Sequence, residues 1–417
     1  MSKFEIEGPN TLEGEIEVYG AKNAAMKMIA ACVLISGKVT LQNVPDILDI
    51  QTIINILVEN GASIQRNGHT LEIDTTNLSE KDPDPQLVKK MRGSIVLVGP
   101  YLARFKKISI PQPGGCTIGS RPIDIHIDGF RQLGVNITEN DCLFEFQTDE
   151  LKGNEIHLKG ISVTATENVL MAASLTNGKT TISNVAKEPE VVDLINFLNN
   201  AGAKISGIGT DTIVIDGVRK LNPINYTVIP DRIEAGTFVA LAIATKSLLK
   251  ITKCRTQDLE AFLSIINKMG VDFEKGEDYI LVKNSNNLKE VNIETQVHPG
   301  FPTDLQAPMG LLFTQAEGQS TINEKIHENR LEYLKELKDM GANVEIVNPK
   351  TAKITGPTIL RGKTVDSLDL RAGATLILAG LIANGKTVIN KAEIVDRGYE
   401  KIEERLQRIG AKIKRIQ

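Results

Sequence analysis

A cysteine with an unusual sequence context is the first candidate for chemistry in this chain. Cys116 lies in the segment Pro113-Gly-Gly-Cys-Thr-Ile-Gly-Ser-Arg-Pro122, whose glycines and flanking prolines are typical of a loop. A cation such as Arg121 close to a cysteine favours its reactive thiolate form. The segment therefore predicts either a reactive thiol displayed on a loop or, more simply, small residues in a turn.

Basic residues recur where helices and loops are predicted to meet. Lys22 stands in Gly20-Ala-Lys-Asn23, at the start of a predicted helix. Arginines occupy comparable junctions beside small residues at Arg92, Arg330, Arg371 and Arg397. Most isolated arginines are solvated surface residues, but the guanidinium group also matches carboxylate and phosphate, and helix N-termini add backbone donors for anions. The recurrence favours a small anionic ligand.

A carboxylate is predicted near the start of a buried helix. The segment His298-Pro-Gly-Phe-Pro-Thr-Asp-Leu-Gln306 places Asp304 in its first turn. Acidic residues are common there because they interact favourably with the helix dipole. Beside a cationic pocket, the same carboxylate can instead act as a general base.

Composition excludes several functional classes. The 417 residues are 41% hydrophobic and 24% charged, with a formal net charge of −4, which argues against a general nucleic-acid binder. Neither GxGxxG nor a P-loop motif is present, so no dinucleotide site or nucleotide hydrolase is indicated. The cysteines are far apart and the five histidines are scattered, which predicts neither a metal site nor a disulfide and fits a reducing cytoplasm. The cysteines are Cys32, Cys116, Cys142 and Cys254.

Neither a targeting segment nor a membrane span is predicted. The first ten residues lack the apolar centre of a signal peptide. The apolar stretches 238–244 and 376–383 are short and contain small residues, which suits buried helices. We therefore expect a cytoplasmic protein that does not insert into membranes.

One pattern recurs six times at intervals of about seventy residues. An amphipathic helix ends in Gly-Ala or Gly-Val and is followed by a short strand, and glycine provides the left-handed cap that ends the helix. The helices are predicted over 53–59, 127–133, 191–199, 259–269, 331–340 and 399–409, with caps at Gly61, Gly134, Gly202, Gly270, Gly341 and Gly410.

A second helix is predicted in most copies, apolar nearly all round and therefore buried. These helices span 23–34, 168–175, 235–244, 303–313 and 373–382, and each leads into a strand. Six such copies exceed one compact core, so the pattern predicts two α/β domains of three copies each, with a ligand site between them.

The chain resembles the enolpyruvyl transferase family over its whole length. The resemblance is carried, in the family's order, by residues 20–23, 113–126, 229–236, 298–306, 369–373 and 396–400. It implies a two-domain inside-out α/β barrel built from six βαβαββ units. Residues 22–229 would form the first barrel, with the cysteine loop, and residues 1–21 and 230–417 the second, with the active site in the cleft between them.

The resemblance also implies an activity. The enolpyruvyl group of phosphoenolpyruvate would move to the 3-hydroxyl of UDP-N-acetylglucosamine by addition and elimination, releasing phosphate, in the first committed step of peptidoglycan precursor synthesis. Cofactors, metals and obligate protein partners are not implied. Two alternatives stay open: an enzyme like 5-enolpyruvylshikimate-3-phosphate synthase, and a non-catalytic UDP-sugar-binding paralogue. The cysteine loop and residues 229–236 resemble the UDP-sugar branch more closely.

Roles follow residue by residue from the same resemblance. Cys116 would protonate the methylene carbon of phosphoenolpyruvate and be alkylated by fosfomycin, and Asp304 would deprotonate the sugar hydroxyl. Phosphoenolpyruvate would be held by Lys22, Arg121 and Arg397, of which Lys22 and Arg397 also count as catalytic. Other active-site positions are Arg92, Arg330, Asp369 and Arg371. UDP-sugar contacts are Asn23, Arg121, Pro122, Ile123, Asp124, Ile125, His126, Ser162, Val163, Thr164, Ile326 and His327.

Two positions depart from the family's commonest pattern. The first helix reads Ala25-Met-Lys-Met-Ile29 where many members carry a Leu-Pro pair, so Lys27 is unusual. A lysine that some members place two residues before Ser162 is Gly160 here, with Lys159 beside it. One UDP-phosphate contact is therefore left open.

Overall fold

The computed structural model describes residues 2–111, 123–140, 143–283 and 286–417. Contacts between Cα atoms divide these residues into two compact units. The inner unit contains residues 20–111, 123–140 and 143–229, and the terminal unit combines residues 2–19 with the described part of 230–417. Each unit has its own hydrophobic core.

The described residues contain thirteen α-helices. Those of the inner unit are α1 Lys22–Ala31, α2 Leu48–Glu59, α3 Pro85–Lys90, α4 Val98–Phe105, α5 Asp124–Gln132, α6 Val163–Ala173 and α7 Pro189–Asn200. Those of the terminal unit are α8 Arg232–Ala244, α9 Glu260–Lys268, α10 Gln306–Phe313, α11 Tyr333–Asp339, α12 Leu370–Ile382 and α13 Ile402–Arg408.

The strands form six sheets in the described residues. The terminal unit contains β1 Lys3–Gly8, β2 Glu13–Glu17, β14 Leu248–Thr252, β15 Phe273–Lys275, β16 Tyr279–Val282, β17 Ile293–Glu294, β18 Gly318–Asn323, β19 Asn343–Asn348, β20 Thr351–Gly356, β21 Thr364–Asp366, β22 Gly385–Asn390 and β23 Ile413–Ile416. The inner unit contains β3 Lys38–Gln42, β4 Ser63–Asn67, β5 Thr70–Asp74, β6 Lys107–Pro111, β7 Asn136–Asn140, β8 Leu143–Gln147, β9 Glu155–His157, β10 Lys179–Ser183, β11 Lys204–Ser206, β12 Thr212–Asp216 and β13 Asn225–Thr227.

Five of these six sheets share one pairing order. In the sheet β17-β18-β20-β19, β17 runs parallel to β18, and the next two pairs are antiparallel. The parallel pair comes from a strand, a buried helix and a second strand, as a parallel crossover requires. The sixth sheet, β6-β8-β7, has three antiparallel strands. Strands distant in sequence complete three of the sheets: β13 lies beside β3, β2 beside β14, and β1 between β22 and β23.

Apolar helices form the centre of the terminal unit. α8, α10 and α12 are buried over almost their whole length and pack against one another. The segment Thr212–Asp216, which was predicted as a strand, is a strand in which buried residues alternate with partly or fully exposed ones. The buried helices were therefore predicted correctly, although α6 begins five residues earlier than expected and 303–313 opens with a 3-10 turn. A further buried helix, α4, was not predicted. No described helix combines the length and hydropathy needed to cross a membrane.

All six predicted cap glycines adopt the left-handed conformation. Their φ angles lie between 86° and 108°. Each follows the end of a surface helix, at α2, α5, α7, α9, α11 and α13. The prediction from the repeat is confirmed, because a residue with a Cβ is strained at these angles.

A buried ion pair ties the last helix of the chain to α8. Arg405 donates to both carboxylate oxygens of Glu234 at 2.6 and 3.1 Å, and both side chains are 5% exposed. The N–H of Tyr19 donates to the same carboxylate at 2.9 Å, and the guanidinium group lies 4.1 Å from the centre of the Tyr19 ring. The pair therefore joins α13, α8 and the N-terminal segment.

Replacing Arg405 should destabilise the terminal unit. In Arg405→Met the Glu234 carboxylate stays buried without its cation, and we expect the free energy of unfolding to fall by about 3–5 kcal/mol. Arg408→Met is the matched control on the same helix, because the Arg408 side chain is 71% exposed. It should change the free energy by less than about 0.5 kcal/mol in the same chemical denaturation measurement. Equal effects of the two substitutions would contradict the importance of this pair.

Candidate active site

Asp304 is held by two arginines of the terminal unit. It lies in the 3-10 turn Thr303–Leu305 that leads into α10. Its Oδ1 accepts a hydrogen bond from Arg330 at 2.6 Å, and its Oδ2 lies 3.1 and 3.2 Å from two nitrogens of Arg371. Each arginine side chain is 5% exposed, whereas that of Asp304 is 27% exposed. The carboxylate is therefore the accessible end of a buried cationic cluster.

The charge state of this cluster follows from its geometry. Burial raises the pKa of the Asp304 carboxyl group, but the guanidinium groups of Arg330 and Arg371 outweigh burial and hold the pKa well below its usual range. Burial lowers the pKa of Arg371, but interactions with Tyr399, Asp304 and Asp231 dominate and raise it. Asp304 is therefore ionised at neutral pH, and Arg371 remains cationic.

The start of α12 orients Arg371. The Oδ1 of Asp369 accepts hydrogen bonds from the N–H groups of Arg371 and Ala372 at 2.8 and 3.0 Å, so Asp369 acts as the helix cap. Nη1 of Arg371 donates to the hydroxyl of Tyr399 at 3.3 Å, and that hydroxyl also bonds Thr237 at 2.9 Å. Asp369 was predicted as an active-site residue, and its contacts in the structure are those of a helix cap that positions an arginine.

Arg397 ends the 3-10 helix Ala392–Arg397. Its neighbour Asp396 accepts two hydrogen bonds from Arg415 at 2.8 and 2.6 Å, and Arg415 also bonds Glu403 at 2.5 Å. This bidentate contact fixes the backbone beside Arg397.

Ile326 and His327 follow β18. Their backbone N–H groups donate to Oε1 of Glu324 at 2.8 and 3.0 Å. Ile326 is 37% exposed although it is apolar, which suits a residue that contacts a ligand. Glu324 was not predicted, because a glutamate at the end of a strand carries no distinguishing local signal.

In the inner unit, Lys22 is paired with a carboxylate that sequence reasoning missed. Lys22 is the first residue of α1, and its Nζ lies 2.6 Å from Oδ2 of Asp49 on α2. Both side chains are largely buried, at 11% and 5% exposure. Asn23 follows Lys22 on α1 and is partly exposed. Asp49 resembles an ordinary acidic residue of a first helical turn, so only the fold reveals its partner.

His126 is part of a buried polar network. Its Nε2 lies 3.0 Å from the hydroxyl of Thr164, and its Nδ1 lies 3.1 Å from Nδ2 of Asn168. The Asn168 oxygen accepts from the N–H of Gly99 at 2.7 Å, so its amide nitrogen donates to the histidine. His126 therefore carries its proton on Nε2 and donates it to Thr164.

Most of the other predicted UDP-sugar contacts of this unit are close to His126 or Thr164 in the chain. Ile123 and Asp124 lie at the start of α5 and Ile125 follows them, and Ser162 caps α6 by accepting from the N–H of Ala165 at 3.3 Å. Val163 and Thr164 open α6, and Arg92 opens a 3-10 helix. Lys159, beside Gly160, is paired with Asp128 at 2.7 Å.

The unusual Lys27 also has a partner. Its Nζ lies 3.3 Å from Glu167 on α6, with side-chain exposures of 3% and 0%. Burial, with smaller contributions from Glu190 and Glu188, raises the pKa of Glu167 to about 7 in spite of Lys27. This pair connects α1, which carries Lys22, with α6, which carries Thr164.

Three predicted site residues, Cys116, Arg121 and Pro122, lie outside the described residues. Cys32 and Cys254, which are described, are buried. Burial raises the pKa of Cys32 and raises that of Cys254 to about 11, so neither is suited to act as a nucleophile or acid at neutral pH. Within the described ranges, no cluster of three His, Cys, Asp or Glu side chains is arranged to hold a metal ion.

The network around His126 predicts a pH dependence of stability. Burial and, to a smaller extent, the charge of Arg92 lower the pKa of His126 from 6.5 to about 3. Between these values the unfolded chain binds a proton that the folded protein does not, so stability falls as the pH is lowered through this interval. We expect the slope of the unfolding free energy to be ~1.4 kcal/mol per pH unit steeper in the wild type than in His126→Gln.

His157→Gln provides the control for this measurement, because His157 is exposed. That variant should keep the wild-type pH dependence in denaturant titrations between pH 4 and 6. Parallel curves for the wild type and His126→Gln would contradict a buried, neutral His126.

Comparison with known proteins identifies the family. The sequence model of the protein family described as EPSP synthase (3-phosphoshikimate 1-carboxyvinyltransferase) matches residues 6–406 of this chain. The chain is 44% identical to UDP-N-acetylglucosamine 1-carboxyvinyltransferase 1 of Clostridium acetobutylicum, with 100% of both chains covered. It is also 44% identical to UDP-N-acetylglucosamine 1-carboxyvinyltransferase 2 of Listeria monocytogenes, covering 98% of this chain and 97% of that protein.

Solved structures agree with these relatives. The enolpyruvyl transferase NikO from Streptomyces tendae matches with a TM-score of 0.91 at 25% identity, covering 99% of this chain and 98% of NikO. EPSP synthase from Acinetobacter baumannii shares the fold, with a TM-score of 0.76 at 20% identity over 100% of both chains. The chain therefore belongs to the EPSP synthase family of enolpyruvyl transferases, in the branch of the UDP-N-acetylglucosamine 1-carboxyvinyltransferases.

Proposed function

We propose that this chain transfers the enolpyruvyl group of phosphoenolpyruvate to the 3-hydroxyl of UDP-N-acetylglucosamine and releases phosphate. The observation that carries the proposal is the 44% identity, over the full length of both chains, to a protein named for this reaction. The cluster around Asp304 supports it, because the two guanidinium groups of Arg330 and Arg371 face a single carboxylate, and the remaining positive charge suits anionic substrates.

The reaction consists of an addition and an elimination. The sugar oxygen bonds to C2 of the enolpyruvyl unit while C3 takes up a proton and the hydroxyl loses one. From the resulting tetrahedral intermediate, C3 loses a proton, the bond from C2 to the phosphate oxygen breaks, and the C2–C3 double bond forms again. Phosphate leaves with the bridging oxygen and takes up a proton, which balances the proton lost by the sugar hydroxyl, while C3 gains one proton and later loses one.

Asp304 is the proposed base for the sugar hydroxyl. Because the two guanidinium groups lower the basicity of the carboxylate, the equilibrium for removing the proton from a free hydroxyl lies far on the side of the hydroxyl. The hydroxyl becomes far more acidic as its oxygen bonds to C2. Proton transfer to Asp304 therefore accompanies formation of this bond.

The other roles are those implied by the family resemblance. We propose that Cys116 supplies the proton to C3, and that Lys22, Arg121 and Arg397 hold the phosphate and stabilise its departure. The UDP-sugar would contact Asn23, Arg121, Pro122, Ile123, Asp124, Ile125, His126, Ser162, Val163 and Thr164, and Arg92 would be a further substrate-binding position of the active site. Ile326 and His327 of the terminal unit would also contact the UDP-sugar. Arg330, Asp369 and Arg371 would be further substrate-binding positions, and their contacts in the structure also orient Asp304.

The fold proposal has the same basis. We propose that residues 22–229 and residues 1–21 with 230–417 each form an inside-out barrel of three βαβαββ units. The shared pairing order of five sheets and the central packing of α8, α10 and α12 support it. The proposed place of action is the cytoplasm, and the proposed ligands are the two substrates alone.

Phosphate release tests the proposed reaction. We expect wild-type protein to release phosphate from phosphoenolpyruvate only when UDP-N-acetylglucosamine is present. Cys116→Ala should lower kcat by about a hundredfold or more, because the proton donor to C3 is lost. Cys32→Ala is the matched control, since Cys32 is buried, and any change should follow its thermal stability alone. Binding of the UDP-sugar without any phosphate release would instead favour a non-catalytic paralogue.

A further inference from the structure

Glu324 is a buried carboxylate with four hydrogen bonds. It follows the last residue of β18 and is fully buried. Its Oε1 accepts from the hydroxyl of Thr295 at 2.8 Å and from the N–H groups of Ile326 and His327 at 2.8 and 3.0 Å. Its Oε2 accepts from the hydroxyl of Thr303 at 2.8 Å. These charge-assisted bonds offset the cost of burying the carboxylate.

The two oxygens connect two parts of the candidate site. Oε2 binds Thr303, which precedes Asp304 in the same 3-10 turn. Oε1 binds the backbone of Ile326 and His327, which leads on to Arg330, and Arg330 contacts Asp304 at 2.6 Å. One carboxylate thus fixes both the turn that carries Asp304 and the loop that carries its arginine partner.

Thr295 strengthens the Oε1 side of this arrangement. It is fully buried, and its hydroxyl also accepts the N–H of Lys325 at 2.8 Å. The loop from Lys325 to His327 is therefore held by three backbone hydrogen bonds, one to Thr295 and two to Glu324. Such a loop is ordered before a ligand arrives, which lowers the entropy cost of binding.

We propose that Glu324 is a positioning residue with two separable effects on the reaction. Through Oε2 and Thr303 it fixes Asp304 for proton transfer, and through Oε1 it fixes the Ile326–His327 backbone for binding the acceptor. The inference rests on the proposed function, which supplies the acceptor and the proton transfer. It predicts that loss of the Oε2 contact with Thr303 lowers kcat, and that loss of the contacts of both oxygens also raises KM.

The experiment measures kcat and the KM for UDP-N-acetylglucosamine at saturating phosphoenolpyruvate. Thr303→Val removes the donor to Oε2 alone, and we expect kcat to fall about tenfold or more with KM within about twofold. Glu324→Ala removes both sides, so kcat should fall at least as far and KM should rise about tenfold. Glu324→Gln keeps one oxygen to accept from the backbone N–H groups. Its amide nitrogen would lie beside Thr303 and can donate a hydrogen bond to the Thr303 hydroxyl. Its KM should stay near the wild-type value.

Two further variants separate positioning from general destabilisation. Thr303→Ser keeps the hydroxyl and should restore wild-type kcat. Thr387→Val makes the same change in polarity at a fully buried threonine of β22 whose hydroxyl has no described hydrogen-bond partner, and it should leave kcat and KM unchanged. Thermal unfolding of every variant reports the folded fraction.

Each outcome has a defined meaning. Equal kcat values for Thr303→Val, Thr303→Ser and the wild type would overturn the inference while leaving the proposed function intact. An unchanged KM in folded Glu324→Ala would overturn the role of Oε1. A folded wild-type protein without turnover would overturn the proposed function, and with it the proposed positioning role of Glu324.

Discussion

The contact of Asp304 with Arg330 and Arg371 is the interaction on which the candidate site depends. Two guanidinium groups that are almost fully buried need an anion close by, and one carboxylate at 2.6 to 3.2 Å provides it. The partners come from three separate segments of the terminal unit: the turn before α10, the loop before α11, and the first turn of α12. Their meeting requires that these elements be fixed with respect to one another.

The surrounding structure meets that requirement with buried polar contacts. Asp369 caps α12 and directs Arg371, while the Tyr399 hydroxyl, which is itself hydrogen-bonded to Thr237, accepts a hydrogen bond from the guanidinium group. Cation and carboxylate are thus both oriented before any substrate binds, which is the condition for electrostatic stabilisation of a transition state. In the inner unit, Asn168 and His126 connect α4, α5 and α6 in a comparable way.

Local features of the fold could be predicted from the sequence, because their causes are local. The six cap glycines and the apolar helices depend on residues a few positions apart, and the structure bears them out. The tertiary partners could not be found in this way. Asp304, Arg330 and Arg371 were each singled out, but nothing in a single sequence shows that they meet. Asp49 and Glu324 were missed because each stands where an acidic residue is ordinary.

Lys27 is a residue that was noticed in the sequence although its partner could not be predicted. A lysine in this apolar helix is explained by an ion pair with Glu167, which lies 140 residues further along the chain. Asn168 lies in a similarly apolar helix and forms hydrogen bonds with Gly99, Ile95 and His126. The partners of such polar residues in buried helices can therefore be identified only once the fold is known.

Acceptor choice is the most direct test of the proposed chemistry. Limiting phosphoenolpyruvate is given to the protein with equal concentrations of UDP-N-acetylglucosamine and shikimate 3-phosphate, and the products are identified by mass spectrometry. We expect the enolpyruvyl group to appear on the UDP-sugar alone. Its appearance on shikimate 3-phosphate would contradict the proposed function and assign the chain to the other branch of the fold.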